Sequence, residues 1–518
     1  MSKSDALHQL VHSLELNEKR YFKLHASFQK KNSNLAQLFD YLCGVEDYDE
    51  ELIHKEFKGE KFLDQLAVTK NHLYEIILKS MRSYHLKRSI DFRLQGLMQD
   101  VHFLYEKGLA SQSETILRRL RKAAMKHDSF TILLQVLEWE TKLIAEGFFV
   151  GKDEADLDAL ADEYYELLGL LQNEREYIDL QFKVFNNYYK IGIERGNQEY
   201  KTNDQIINQF AMRDPERALT FRSKCCFLNI HAQYNKINGR WDEAYRYRKE
   251  LLDLVSERFG ASFEPEAVKR YFVAINNIVP ICMKLGKFNE VAALLDELDT
   301  IEERSLATHY SIELGQRIRM QGLIGRLALY TRLGMKVEGL RLKEYVVANK
   351  LFIEEYPRKY VVLHLYFNLA YFLFTIKEYS SAMQYINLIL NDNDVRSIED
   401  LHASTRLLTM MLQLELGRNE VLEYLARSTK RYLIKLEGLY PFETIMVAFM
   451  RRFSNARQRF DSILSFQTLR NELVGVGYEP GDRNALSTLD LLAWVDSKLQ
   501  AKPLSEILKE KNERQRTD

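Results

Sequence analysis

Three asparagines, Asn186, Asn229 and Asn276, recur at intervals of 43 and 47 residues, and Asn187 and Asn277 stand beside the first and the last. A primary amide offers a donor and an acceptor together, the pair that an extended peptide backbone needs. The competing use is internal, with each amide bonding a neighbouring helix. A second group is basic: residues 65–90 carry Lys70, Lys79, Arg82, Lys87 and Arg88 against Glu75 alone, with Tyr74 and Tyr84 interleaved. A helix of this kind can neutralise nucleic-acid phosphates, or else present a solvated or partner-facing surface. His8 and His12, four apart, fall on one helical face as a metal pair requires, but nothing nearby completes a ligand set, and an exposed face is the expectation. Cys43, Cys225, Cys226 and Cys282 lack paired metal-finger spacing and read as reduced core thiols. Gly475 and Gly477, with neither a GxGxxG run nor a Walker lysine, read with Pro480 and Gly481 as a linker. No nucleophile, base and orienting group stand at motif spacing, so the expectation is a non-enzymatic protein without metal or cofactor.

Such side chains need a scaffold, and the composition specifies one. In 518 residues there are 22 glycines and 7 prolines, while 46% of residues are apolar and 28% charged. A chain this poor in turn formers makes long helices. Turns recur at Gly108, Gly151, Gly196, Gly239, Gly286, Gly334, Lys377 and Gly417, with gaps of 43, 45, 43, 47, 48, 43 and 40 residues. A steady period of this size signals stacked units. After most of these turns, offsets five, eight, nine and twelve are mainly apolar, as in Val291, Leu294, Leu295 and Leu298. That spacing lies on one face of a helix. Another apolar helix precedes each turn, so the unit is a helical hairpin, which hides its apolar stripe only by stacking on neighbours. The copies after Gly151 and Gly196 fit poorly. Trp241, the aromatic of the sharpest turn, is expected to be buried between hairpins.

The run Gly239, Arg240, Trp241, Asp242, Glu243, Ala244 resembles the tetratricopeptide-repeat turn, and the likeness extends loosely over residues 92–435. The period is longer than that family's. The opening Leu16 to Phe22 and the closing Trp494 to Lys498 also resemble a group of helical-repeat proteins common in Bacteroidota, a likeness that carries no activity. The first resemblance implies an α-solenoid whose first helices line a concave groove, where the asparagine ladder would hold a peptide. It does not imply capture of a C-terminal carboxylate: the positions about six before the turn, where that family's clamp would lie, hold Lys190, Gln233 and Pro280.

The fold expected is therefore all-α: about eight helical hairpins over residues 91–435, an N-terminal helical cap domain over 1–90, and C-terminal capping helices with a polar, frayed tail over 436–518. The function expected is a scaffold that binds protein or peptide. The alternative is a peptide-sensing regulator whose basic N-terminal domain contacts nucleic acid or an effector protein. Lys plus Arg total 73 and Asp plus Glu 74, so no global field favours nucleic acid or anionic lipid. Residues 138–179 hold 13 acids against three bases and should face solvent. No signal peptide or spanning segment is legible, which gives the expectation of a cytoplasmic protein without membrane insertion.

Overall fold

A computed structural model describes residues 3–27, 34–86, 89–147, 154–193, 200–259, 265–307, 312–392, 399–436, 440–454, 462–475 and 489–514. Every regular element among them is helical, and among the described residues no helix is long and apolar enough to cross a membrane. The chain divides into two compact units, Met1–Gln172 and Asn173–Asp518.

The first unit opens with α1 (Lys3–Ser13), α2 (Leu16–Ser27), α3 (Asn34–Gly44), α4 (Glu50–Glu56) and α5 (Leu66–His85). The Asp49 carboxylate starts α4 by accepting the Glu51 N–H at 2.8 Å, one of the donors a helix start leaves unmet. Phe22 and Phe39, with ring centroids 4.4 Å apart, centre a core completed by Leu38, Leu42, Leu73 and Ile77. Next come α6 (Ile90–Glu106), α7 (Ala110–Lys126), α8 (Phe130–Ala145) and the long α9 (Glu154–Ile193). Leu94, Leu117, Leu120 and Val136 form a separate core, to which α9 adds Leu160 and Leu167. The first unit thus holds two cores, one on either side of residue 90, and extends to Gln172. The acidic stretch does not wholly face water. Glu140 turns inward to Arg121, and the buried Glu174 accepts the Thr220 hydroxyl at 2.9 Å.

In the second unit Tyr177, Leu180 and Val184 of α9 enter a core shared with α10 (Tyr200–Ile207), α11 (Phe221–Ile237), α12 (Trp241–Phe259), α13 (Pro265–Lys284), α14 (Phe288–Ala307) and α15 (Ile312–Leu333). There follow α16 (Lys336–Ala348), α17 (Lys350–Glu354), α18 (Lys359–Thr375), α19 (Tyr379–Leu390), α20 (Glu399–Glu415) and α21 (Leu422–Lys435). From α11 onward each long helix packs chiefly on its sequence neighbours, except that α15 passes over the short α16 and α17 to reach α18. The turns read from sequence are real ones. Gly108, Gly239, Gly286, Gly334, Lys377 and Gly417 all have left-handed φ between 64° and 75°, while Gly151 and Gly196 lie outside the described residues. That conformation is cheap for glycine and strained for Lys377. The helix phase also holds. Offset five from each described turn gives Ser113, Ala244, Val291, Gly339, Ala382 and Leu422, every one buried, as are Leu120, Leu251, Leu298, Val346, Ile389 and Thr429 at offset twelve. Trp241 corrects an expectation: it is half-buried, and Lys284 Nζ stands 5.5 Å from its ring centre.

Among the described residues the C-terminal capping helices are α22 (Pro441–Ser454), α23 (Ser462–Gly475), α24 (Leu491–Leu499) and α25 (Leu504–Arg514). The linker residues Gly477, Pro480 and Gly481 lie outside the described residues. The polar tail expected to fray is helical through Arg514 and packs on α15. A buried ion cluster explains why: the Asp490 carboxylate receives Lys511 at 2.7 Å and Arg332 at 3.1 Å.

Candidate functional site

The asparagine ladder separates into spent and unspent amides. Asn187 donates to Asn203 Oδ1 at 3.0 Å. Asn229, half-buried on α11, donates to the Cys225 carbonyl at 2.9 Å and accepts from Arg248 Nη1. These two do internal work, Asn187 through α10 and Asn229 through its own helix and Arg248 of α12. Asn186 is exposed, one turn beyond the exposed Phe182. Asn276 and Asn277 are half-buried and make no side-chain hydrogen bond among the described residues.

The α13 surface around the last pair has a backbone peculiarity. Pro280 sits inside the helix and has no N–H, so the carbonyl of Asn276, four residues earlier, loses its helical donor. Val273, Asn276, Asn277 and Pro280 follow three-four-seven spacing on one face, with Val273 and Pro280 exposed. The face thus offers a main-chain acceptor, two amides and apolar flanks. Sequence spacing found the asparagines but missed that Pro280, discounted as a carboxylate-binding position, leaves the Asn276 carbonyl without its helical donor.

The basic stretch is less available than expected. Lys70 is buried, with Nζ 2.6 Å from Glu50 Oε2 and 2.8 Å from the Tyr48 hydroxyl. Burial works against its charge, but these two partners outweigh burial and hold its pKa above the ordinary lysine value. A lysine paired this way is a strut and leaves no cation for phosphate. Lys79 and Arg82 are exposed on α5, and Lys87 and Arg88 lie outside the described residues. His8 is buried and not on an open face. Its Nε2 bonds the Val45 carbonyl at 2.8 Å, and His12 bonds that of Leu42 at 2.9 Å, so each ring uses a nitrogen to tie α1 to α3. Burial pushes the Cys225 and Cys282 thiols up to about 12 and that of Cys226 to about 11, which leaves them unreactive.

Two further features escaped the sequence. A cavity of about 180 Å³ beside α18, α20 and α24 is lined by Lys377, Tyr379, Glu415, Trp494 and Lys498, among others. The Glu415 carboxylate receives Trp494 Nε1–H at 2.8 Å, the Tyr379 hydroxyl at 3.0 Å and Lys498, so it acts as a clasp. The other is Arg248, which falls nine residues after Gly239. At the same offset Leu117, Leu295, Ile386 and Ala426 are buried, and Lys343 is half-buried. Arg248 is 4% exposed, and burial lowers its pKa to about 10 with no acid opposing.

The sequence matches no protein-family model and no curated protein.

Proposed function

We propose that the chain is a non-enzymatic scaffold, built as an α-solenoid of hairpins similar to tetratricopeptide repeats, which binds an extended protein segment along the face of its first helices. The observation that carries this reading is the unspent polar strip on α13. Among the described residues Asn276 and Asn277 make no side-chain hydrogen bond, and Pro280 leaves the Asn276 carbonyl without its helical donor. An α-helix normally has no main-chain group to offer a ligand at its middle. A proline there costs about 3 kcal/mol of helix stability, which argues for a use of the freed acceptor. A peptide N–H can take that carbonyl while its C=O takes an asparagine amide.

Selection of peptides from a displayed random library by the purified chain tests this. Enriched peptides are expected, and Asn276→Arg with Asn277→Arg should remove the enrichment while leaving helicity and melting temperature nearly unchanged. Equal enrichment by both proteins, or none by either, would end the proposal for this face.

A further inference from the structure

Arg248 is the one charged side chain on α11 to α13 that is both buried and without an acid among the described residues. Its Nη1 meets only the neutral Asn229 Oδ1, and its Nε is buried with no acceptor. One helical turn beyond Asn229 on α11, Gln233 is also buried and its Nε2 has no partner. Both orphaned atoms are N–H donors, so an acceptor is what this part of the core lacks. Desolvating a guanidinium without a counter-ion is costly, and the side chain stands where four other turns place a buried aliphatic residue and the turn at Gly334 places only the half-buried Lys343.

The acids nearby are already engaged or lie elsewhere. Glu243 pairs with Arg246 at 2.6 Å, Glu266 with Arg270 at 3.4 Å, and Glu174 with Arg222 at 3.9 Å. Arginines outnumber acids around the turn from Cys225 to Asn229: Arg270 and Arg258 act on Cys225, and Arg222 and Arg270 on Cys226, against the single carboxylate of Glu174. Arg258 also lies over the Phe221 ring at 4.4 Å. Such an excess of cations draws an anion toward Asn229, and a guanidinium takes a carboxylate through two parallel hydrogen bonds.

We propose that the surface at Asn229 receives the carboxylate of an acidic side chain from a bound protein segment, which displaces Asn229 Oδ1 and pairs with the Arg248 guanidinium. The proposal rests on the scaffold reading and narrows its ligand to acidic segments. A free C-terminus is not required.

The test uses the full chain and a fluorescent hexaglutamate peptide acetylated and amidated at its ends, with hexaglutamine as control. Binding of the glutamate peptide alone is expected. Arg248→Met should weaken it by about tenfold or more, the loss of one charge-assisted pair, with the melting temperature unchanged or raised. Asn229→Asp places a carboxylate beside the guanidinium from within the chain, so it should raise the melting temperature and block the peptide. Absence of hexaglutamate binding to the wild-type chain, equal binding by both peptides, or binding retained in Asn229→Asp with a lowered melting temperature would overturn the proposal. Should hexaglutamate fail while displayed peptides still enrich through Asn276 and Asn277, only this inference falls and the scaffold reading stands.

Discussion

Lys70 in the first unit and Arg248 in the second are both long cations drawn into the interior, 8% and 4% exposed, and they differ in what meets them there. Lys70 finds a carboxylate and a phenol within 2.8 Å. Arg248 finds one neutral amide. The second unit can close a buried charge when its elements supply the groups, since Asp490 has two cations and also caps α24 by accepting the Ala493 N–H at 3.0 Å. The contrast teaches that burial alone does not identify a site. A buried charge whose partners are internal holds the fold together, and one without them is a place where a ligand can contribute.

The largest expected effect tests the closed case. Asp490→Ala strips the counter-ion from Arg332 and Lys511 and removes a helix cap, so it should cost about 3 to 5 kcal/mol in chemical denaturation. The acid dependence follows the same cluster. Burial by itself would raise the Asp490 pKa, but Lys511 and Arg332 outweigh it and hold the group below its ordinary 3.8. A depressed carboxyl stabilises the fold above its unfolded pKa and ceases to as pH falls through the folded one. Stability from this cluster is therefore full at neutral pH and lost below about pH 4, a loss absent from Asp490→Asn. If the two proteins unfold in parallel with falling pH, the cluster is not what holds α25.

Arg248→Met comes next and has the opposite sign. Replacing a buried unpaired charge with a thioether of similar length should stabilise the chain by about 1 to 4 kcal/mol, whereas Lys70→Met removes a cation that ties Glu50 and Tyr48 together and should destabilise it by about 1 kcal/mol. A melting temperature that falls in Arg248→Met and in Lys70→Met alike would erase the distinction between the two cations. Glu50→Ala sharpens it from the other side. It makes Lys70 resemble Arg248 by leaving only the Tyr48 hydroxyl, at an expected loss of about 1 to 3 kcal/mol in the same denaturation assay.

How much of this was legible beforehand depends on range. Left-handed turns at Gly239 and Gly286, and burial at offsets five and twelve, follow from contacts within one hairpin, and period and glycine position encode them directly. Lys377 was legible as a turn through its place in the period, although its residue type disfavours the conformation. The hold of Lys511 on Asp490 and the packing of α25 on α15 join residues far apart in sequence, and no local pattern announces them. The same limit governs the site. Spacing put Asn229 and Asn276 in one class, while the structure separates them, because Arg248 reaches the first and Pro280 alters the backbone of the second. Arg248 itself was visible as a charge at an apolar offset. A helical core seldom accepts a cation without an acid, and the burial that makes this charge unusual comes from packing that no local pattern shows.

The smallest expected effect concerns the cations that remain on the surface of the first unit. Lys79 and Arg82 are exposed on α5, so their reversal to glutamate should change stability by no more than about 0.5 kcal/mol. That neutrality makes the pair a clean probe of the nucleic-acid alternative. With Lys70 committed to Glu50, few α5 cations are left to release counterions, and each phosphate contact contributes about one to the slope of log affinity against log salt. The scaffold reading therefore expects gel shifts with duplex and single-stranded probes to show nothing tighter than about 10 μM at physiological ionic strength, within the ordinary non-specific range. Submicromolar binding that falls steeply with salt and disappears in Lys79→Glu with Arg82→Glu would reverse the ranking of the two units. The exposed cations of α5 would then form the functional surface, and the unpaired Arg248 would lose its claim to mark the site.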